Sequence, residues 1–245
     1  MELLAYQAQI RQLFTDAVSG PENRLDLARA ALLIGCEAHP GLDIMRYVAK
    51  LEVMAAAVRP AVTTTDDPTL KIEYLNAYLF EERGFRGNTA EYYDPRNSFL
   101  HTVIDRGLGI PITLSVIYME VGRRVGMPLQ GVGMPGHFIM KYAEPGGDIY
   151  IDPFNEGRIL SRQACEELIQ QLFAEPVPFQ ETFLAPASKK QILARMLMNL
   201  KAIYLHTKDY LKALSVVERL LLIQPDEEQE LKDRAALRHQ IRMLN

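Results

Sequence analysis

Cysteine is scarce in this 245-residue chain, which has only Cys36 and Cys165. The two stand far apart and form no Cys-x-x-Cys pair or Cys/His cluster with metal-ligand spacing, so neither a disulfide framework nor a metal site is expected. Both fall in apolar helical patterns, where a thiol packs as a small hydrophobe. Runs of about 18 apolar residues are missing as well, which argues against a membrane-spanning helix. The opening MELLAYQAQI lacks a basic flank before an apolar core, so no secretory leader is expected and the cytoplasm is the expected location. Positive charge is not in excess: the formal net charge is −4 and Lys and Arg are dispersed. That leaves no basic stripe for nucleic acid and none for an anionic membrane surface. No Pro/Gly/Ser-rich tract signals disorder, and nothing in the composition calls for a cofactor.

What is present is an ordinary globular composition, 48% hydrophobic and 24% charged, on a chain long enough to bury a core. Residues 2–58 carry apolar side chains at three- and four-residue spacing (Tyr6, Ile10, Leu13, Phe14; Leu25, Ala28, Leu32; Ile44, Tyr47, Val48, Leu51, Met54), which predicts three helices. Ser19-Gly20-Pro21 and Pro40-Gly41 divide them. Asp67 as N-cap and Pro68 at the first helical position open a fourth helix, expected to run through Leu75 and Leu79 towards Gly84.

From residue 84 the texture changes to GFRGNTAEYYDPRNSFL, a shaped loop of a kind that often carries function. Ser98 is expected to cap the helix that follows it, and Asn97 to line a cleft. A further helix opens at Gly109-Ile110-Pro111 and closes at Gly126-Met127-Pro128. His137–Tyr142 and Ile149–Ile151 then read as a β-hairpin around Pro145-Gly146-Gly147-Asp148. With its tip near 145, cross-strand partners have numbers summing to roughly 289 to 291, so His137 and Asp152 are neighbours. An Asp beside a His fixes the imidazole tautomer and stabilises the imidazolium when the ring acts as a base. The same pair serves equally well as a buried structural contact. Ser161 caps a helix to about Phe173, and Pro176-Val-Pro178 with Pro186 makes one linker.

The segments GIPITLSVIYMEVGRRVGMP, GVGMPGHFIMKY and IYIDPFNEG together resemble the core of the transglutaminase-like superfamily. The longer run from YLFEERGFRGN through YYDPRNSFLHTVIDRGLGIPITLS to PGHF and DPF resembles its SirB1 branch, also found inside certain F-box proteins. The resemblance spans about residues 28–160. It implies an α+β fold: a helical N-terminal layer, a papain-like helix, and an antiparallel sheet. It also implies a cleft in which Asn155, of the DPFN run, joins Asn97 and Thr113 as binding residues. In active relatives a Cys begins the helix fifteen residues before the Gly of the Gly-x-Pro turn. Here that count from Gly126 lands on Pro111, which has no nucleophile.

Thr113 and Ser115 are the nearby hydroxyls. Offsets of two and four residues rotate a side chain by about 200° and 40°, so Ser115 is the closer stand-in. Both cysteines are expected to lie far from the His–Asp pair. Two functions follow: a non-catalytic protein-binding or regulatory domain, which is preferred, or a hydrolase or acyl-transfer enzyme using His137 and Asp152 with Ser115, Thr113 or water.

Residues 197–225 match tetratricopeptide spacing, with Ala213 at the small-residue position and Leu200, Tyr204, Tyr210, Val217, Leu220 and Pro225 in their places. Asp209 can cap the second helix. One repeat cannot bury its own faces, so it must pack on the preceding domain or on a third helix at 227–243. The expected division is 1–185 for the transglutaminase-like domain and 188–245 for an all-α tetratricopeptide-like region, whose partner would be a protein.

Overall fold

Three amphipathic helices build the N-terminal layer: α1 (Glu2–Ser19), α2 (Leu27–Cys36) and α3 (Ile44–Val62). Asp26 and Asp43 cap the second and third by accepting from backbone N–H groups one turn on. The computed structural model describes residues 2–144 and 146–244, so Pro145 of the expected hairpin turn lies outside the described residues. Helix α2 is apolar nearly all round, because it is the central element of the layer: every residue from Leu27 to Cys36 except Arg29 is buried.

Asp67 and Pro68 open α4 (Pro68–Asn76) as expected, but the single helix expected to reach Gly84 changes to a π-helical turn at Ala77–Glu82. The widened turn follows Asn76, whose side chain binds two other elements. It accepts from the Tyr118 hydroxyl at 3.0 Å and donates to the Gly157 carbonyl at 2.9 Å.

The loop from 84 contains more order than its composition suggests. Two short parallel strands, β1 (Arg86–Gly87) and β2 (Leu108–Gly109), flank a 3₁₀ turn at Pro95–Ser98 and α5 (Leu100–Arg106). Ser98 does not cap α5. It lies inside the 3₁₀ turn, Phe99 takes the N-cap position, and the buried Ser98 hydroxyl has no hydrogen-bond partner among the described residues.

Helix α6 (Pro111–Arg124) is the central pillar, with every residue from Pro111 to Gly122 buried. Against it packs a four-stranded antiparallel sheet in sequential order, β3 (Leu129–Val132), β4 (Ile139–Tyr142), β5 (Ile149–Asp152) and β6 (Arg158–Leu160). The expected hairpin is therefore the middle of a larger sheet. Its register, Met140 opposite Ile151, sums to 291, the upper end of the expected range. Strand alternation sends Met140, Tyr142 and Ile151 into the main core. It sends Val132, Ile139 and Leu160 to a smaller core roofed by Cys165 and Ile169 of α7 (Arg162–Leu172), which Ser161 caps.

The 176–186 segment is not a loose linker. Leu184 is buried in the smaller core, Pro186 bridges to Val132, and the Ala187 N–H bonds to the Gly131 carbonyl at 2.8 Å. Helices α8 (Lys189–His206), α9 (Tyr210–Ile223) and α10 (Glu228–Leu244) follow, with Asp209 capping α9. Their apolar faces join the same continuous core as the N-terminal layer: Ile192, Leu200, Val216, Leu220 and Leu237 cluster with Phe14, Leu32 and Leu100.

Candidate functional site

The chain reaches the site through a turn that the dipeptide Pro135-Gly136 encodes. Gly136 has φ +73° and the His137 N–H bonds back to the Met134 carbonyl at 3.3 Å, a turn that takes Pro at its second and Gly at its third position. His137 leaves that turn two residues ahead of β4 and is 6% exposed. Its Nε2 donates to Asp152 Oδ2 at 2.9 Å.

Asp152 ends β5, is 1% exposed, and caps the 3₁₀ turn at Pro153–Asn155. Its Oδ1 accepts from the N–H groups of Phe154 at 3.0 Å and Asn155 at 3.4 Å, and its Oδ2 also accepts from Asn155 Nδ2 at 2.7 Å. Burial alone would raise the Asp152 pKa. The hydrogen bond and charge of His137, with the Asn155 and Phe154 donors, more than offset it and hold the carboxyl below its ordinary value. A carboxylate so held is an acceptor only, so Nε2 carries the proton in this contact and Nδ1 is the ring's second nitrogen. Nδ1 makes no hydrogen bond to any described residue and is not sealed from solvent. The imidazole also meets the Phe154 ring, edge-on at 6.0 Å between centroids, and Phe154 lies in turn against Gly87.

The geometry thus brings together His137, Asp152 and Asn155. It does not bring the other expected site residues to them. Asn97 is wholly buried, and its amide donates to the Glu91 and Tyr92 carbonyls at 2.7 and 3.3 Å while accepting from Asn88 at 3.0 Å. It is the internal tie of the 88–97 loop and not a cleft-lining group, because folding the loop around its own amide leaves no face to solvent. Thr113 is buried too: its hydroxyl accepts from the Ile110 N–H at 3.1 Å and donates to the Asn97 carbonyl at 2.8 Å, fastening the start of α6 to that loop.

Ser115 is 0% exposed, with Oγ 3.5 Å from the Phe138 carbonyl and no hydrogen bond to the imidazole. The Cys36 and Cys165 thiols are both buried, and burial pushes each up to about 11, so both stay protonated. The Asp152 charge adds to the rise at Cys165, and no hydrogen bond among the described residues links either thiol to His137. Among the described residues no group of three or more His, Cys, Asp or Glu could hold a metal. Phe154 and the Pro135-Gly136 turn also shape the site, and in the sequence the DPF and PGH runs carry them.

A His–Asp pair at the end of an antiparallel sheet, packed on a buried helix that opens on Pro111, is the architecture of a transglutaminase-like domain. The transglutaminase-like superfamily profile matches residues 45–198, well over half the chain, and a tetratricopeptide repeat profile matches 200–244. The chain belongs to the transglutaminase-like superfamily, and within it to the UPF0162 family. A UPF0162 protein of Xylella fastidiosa is 36% identical over 225 residues, covering 91% of this chain and 80% of the relative, and one of Vibrio cholerae is 26% identical over 218 residues, covering 89% and 80%. F-box only protein 21 of Mus musculus is 32% identical over 137 residues, 53% of this chain and 21% of that protein. No solved structure matches the chain. The superfamily match ends and the tetratricopeptide match begins within α8.

Proposed function

We propose that this chain is a non-catalytic transglutaminase-like protein, of the SirB1 branch its motifs resemble, that acts in the cytoplasm in protein–protein interaction or regulation. The observation that carries the reading is the first turn of α6: Pro111 stands at the nucleophile position, and no thiol or hydroxyl among the described residues hydrogen-bonds to the His137 ring. Thr113 is committed to backbone, Ser115 is enclosed, and the thiols are buried and protonated. A base without a nucleophile has no covalent chemistry to assist. The tetratricopeptide match supports a protein partner, and no helix among the described residues is long and apolar enough to cross a membrane.

One observation favours the second reading, a hydrolase or acyl-transfer enzyme: Nδ1 of His137 is unpaired while Asp152 is fully bonded, which is the arrangement of a base in waiting. Water is the nucleophile that geometry leaves to it. The test is a screen of ester and amide substrates on wild type, His137→Gln and Ser115→Ala, each checked for cooperative unfolding. Turnover at background level in all three is the expected result. Robust wild-type turnover that disappears in folded His137→Gln would establish the enzyme instead.

A further inference from the structure

Arg195 of α8 borders a cavity of about 260 Å³ shared by Phe138, Thr182 of the 176–186 segment, Gln191 and Met198 of α8, and Gln224 after α9. Half-buried Arg195 makes no hydrogen bond or ion pair with any described residue, and none of its nitrogens is sealed from solvent. Arg106, Arg124 and Arg219 differ from it, since each has a carboxylate within 4 Å: Asp94 for Arg106, Glu120 and Glu52 for Arg124, and Glu37 for Arg219. Its own helix supplies no acid, because the positions three and four residues away are Gln191, Ile192, Met198 and Asn199. Burial with no carboxylate beside it pulls the Arg195 pKa down from its ordinary value, the signature of a cation kept at a cost.

We infer that this cavity binds a single carboxylate carrying a short apolar body, with Arg195 as its charge partner. The neutral donors are the Gln224 amide and the Gln191 NH₂, whose carbonyl oxygen already accepts from the Ser188 N–H, while the Thr182 hydroxyl donates to the Gln180 carbonyl oxygen at 3.4 Å. Arg195 is the one charged side chain in the wall, so a monoanion is neutralised by a bidentate guanidinium contact and a phosphate dianion is not. Phe138, Ala194 and Met198 supply the apolar remainder, and the volume admits a unit of about one or two amino acid residues. A free carboxylic acid and the C-terminal carboxylate of a peptide share this chemistry. The inference stands whichever reading of His137 holds, since neither His137 nor Asp152 borders the cavity.

Calorimetric titration of the full chain with N-acetyl-leucine, its neutral amide and inorganic phosphate tests it. The acid should bind at least about tenfold more tightly than the amide or phosphate, a difference of one charge-assisted contact. Arg195→Gln should reduce the acid to the level of the amide without lowering the Tm, and Arg195→Lys should fall between. A decapeptide ending in leucine that binds more tightly than N-acetyl-leucine identifies a protein C-terminus as the source. Equal or weaker peptide binding identifies a free acid. Equal binding of acid and amide, tighter binding of phosphate, no acid binding at tens of millimolar, or an unchanged affinity in Arg195→Gln overturns the proposal. The wild-type comparison of acid with amide decides the matter even if the variant does not fold.

Discussion

Asp152 shows how a buried charge is made tolerable, by surrounding one carboxylate with four hydrogen bonds from His137, Phe154 and Asn155. Replacing it with Asn removes the charge and keeps the shape, and the expected cost at pH 7 is about 1.5 to 3 kcal/mol. The pH dependence has a definite sign. Because the folded-state pKa of Asp152 is depressed, its contribution is complete above the ordinary carboxylate value of about 4 and is lost as pH falls through the folded value. Urea denaturation of wild type and Asp152→Asn should therefore differ most above pH 5 and converge below about pH 4. A gap that stays constant down to pH 3 would mean the carboxylate is not held in its charged form.

Elements are joined to one another at a few tight points, and Gly157 is the tightest. It lies in the turn between β5 and β6 with φ +75°, and a Cβ there would stand 2.1 Å from Asn76 Oδ1. Asn76 in turn bonds to Gly157 and Tyr118, so this contact fastens the sheet to α4 and α6. Gly157→Ala combines left-handed strain with displacement of that amide, and a loss of about 2 to 4 kcal/mol is expected in thermal unfolding. Asn76→Ala should cost less, about 1 to 3 kcal/mol, because it leaves the Gly157 carbonyl and Tyr118 hydroxyl unsatisfied without straining the backbone. If the alanine at 157 proves neutral, the turn is free to move and does not position Asp152 through β5.

At the scale of the molecule, the tetratricopeptide-like helices are a part of the fold and not a tail. Buried Arg219 of α9 donates to the Ile34 carbonyl of α2 at 2.9 Å and lies 3.4 Å from the Glu37 carboxylate, while Arg11 of α1 pairs with Glu218. Arg219→Ala leaves Glu37 and a helix-end carbonyl partly uncompensated, at an expected cost of about 3 to 5 kcal/mol, and Arg219→Met should cost less because it refills the space. A shared core makes unfolding cooperative, so calorimetry should show one transition that shifts as a whole. A separate early transition in Arg219→Ala would instead make residues 188–245 an independent unit.

Local chemistry determined a great deal of this: helix phases, the Asp67, Ser161 and Asp209 caps, the strand register, the His137–Asp152 contact and the tetratricopeptide pair all follow from periodicity and turn residues within short windows. Three particulars depended on distant chain. Asn97 and Thr113 look like polar cleft residues in sequence, yet each is consumed by backbone groups that only the folded loop brings near. Strands β1 and β2 are two residues each, too short for any alternation to register, and exist because Gly107 and Gly109 carbonyls meet residues from the 86–88 segment. Cys165 feels Asp152, and α8 closes over the cavity at Arg195, because α7 and α8 fold back across the sheet. Hydrogen-bond patterns of three or four residues are set by the local backbone. Which buried polar group is left without a partner is set only when all the surfaces have met.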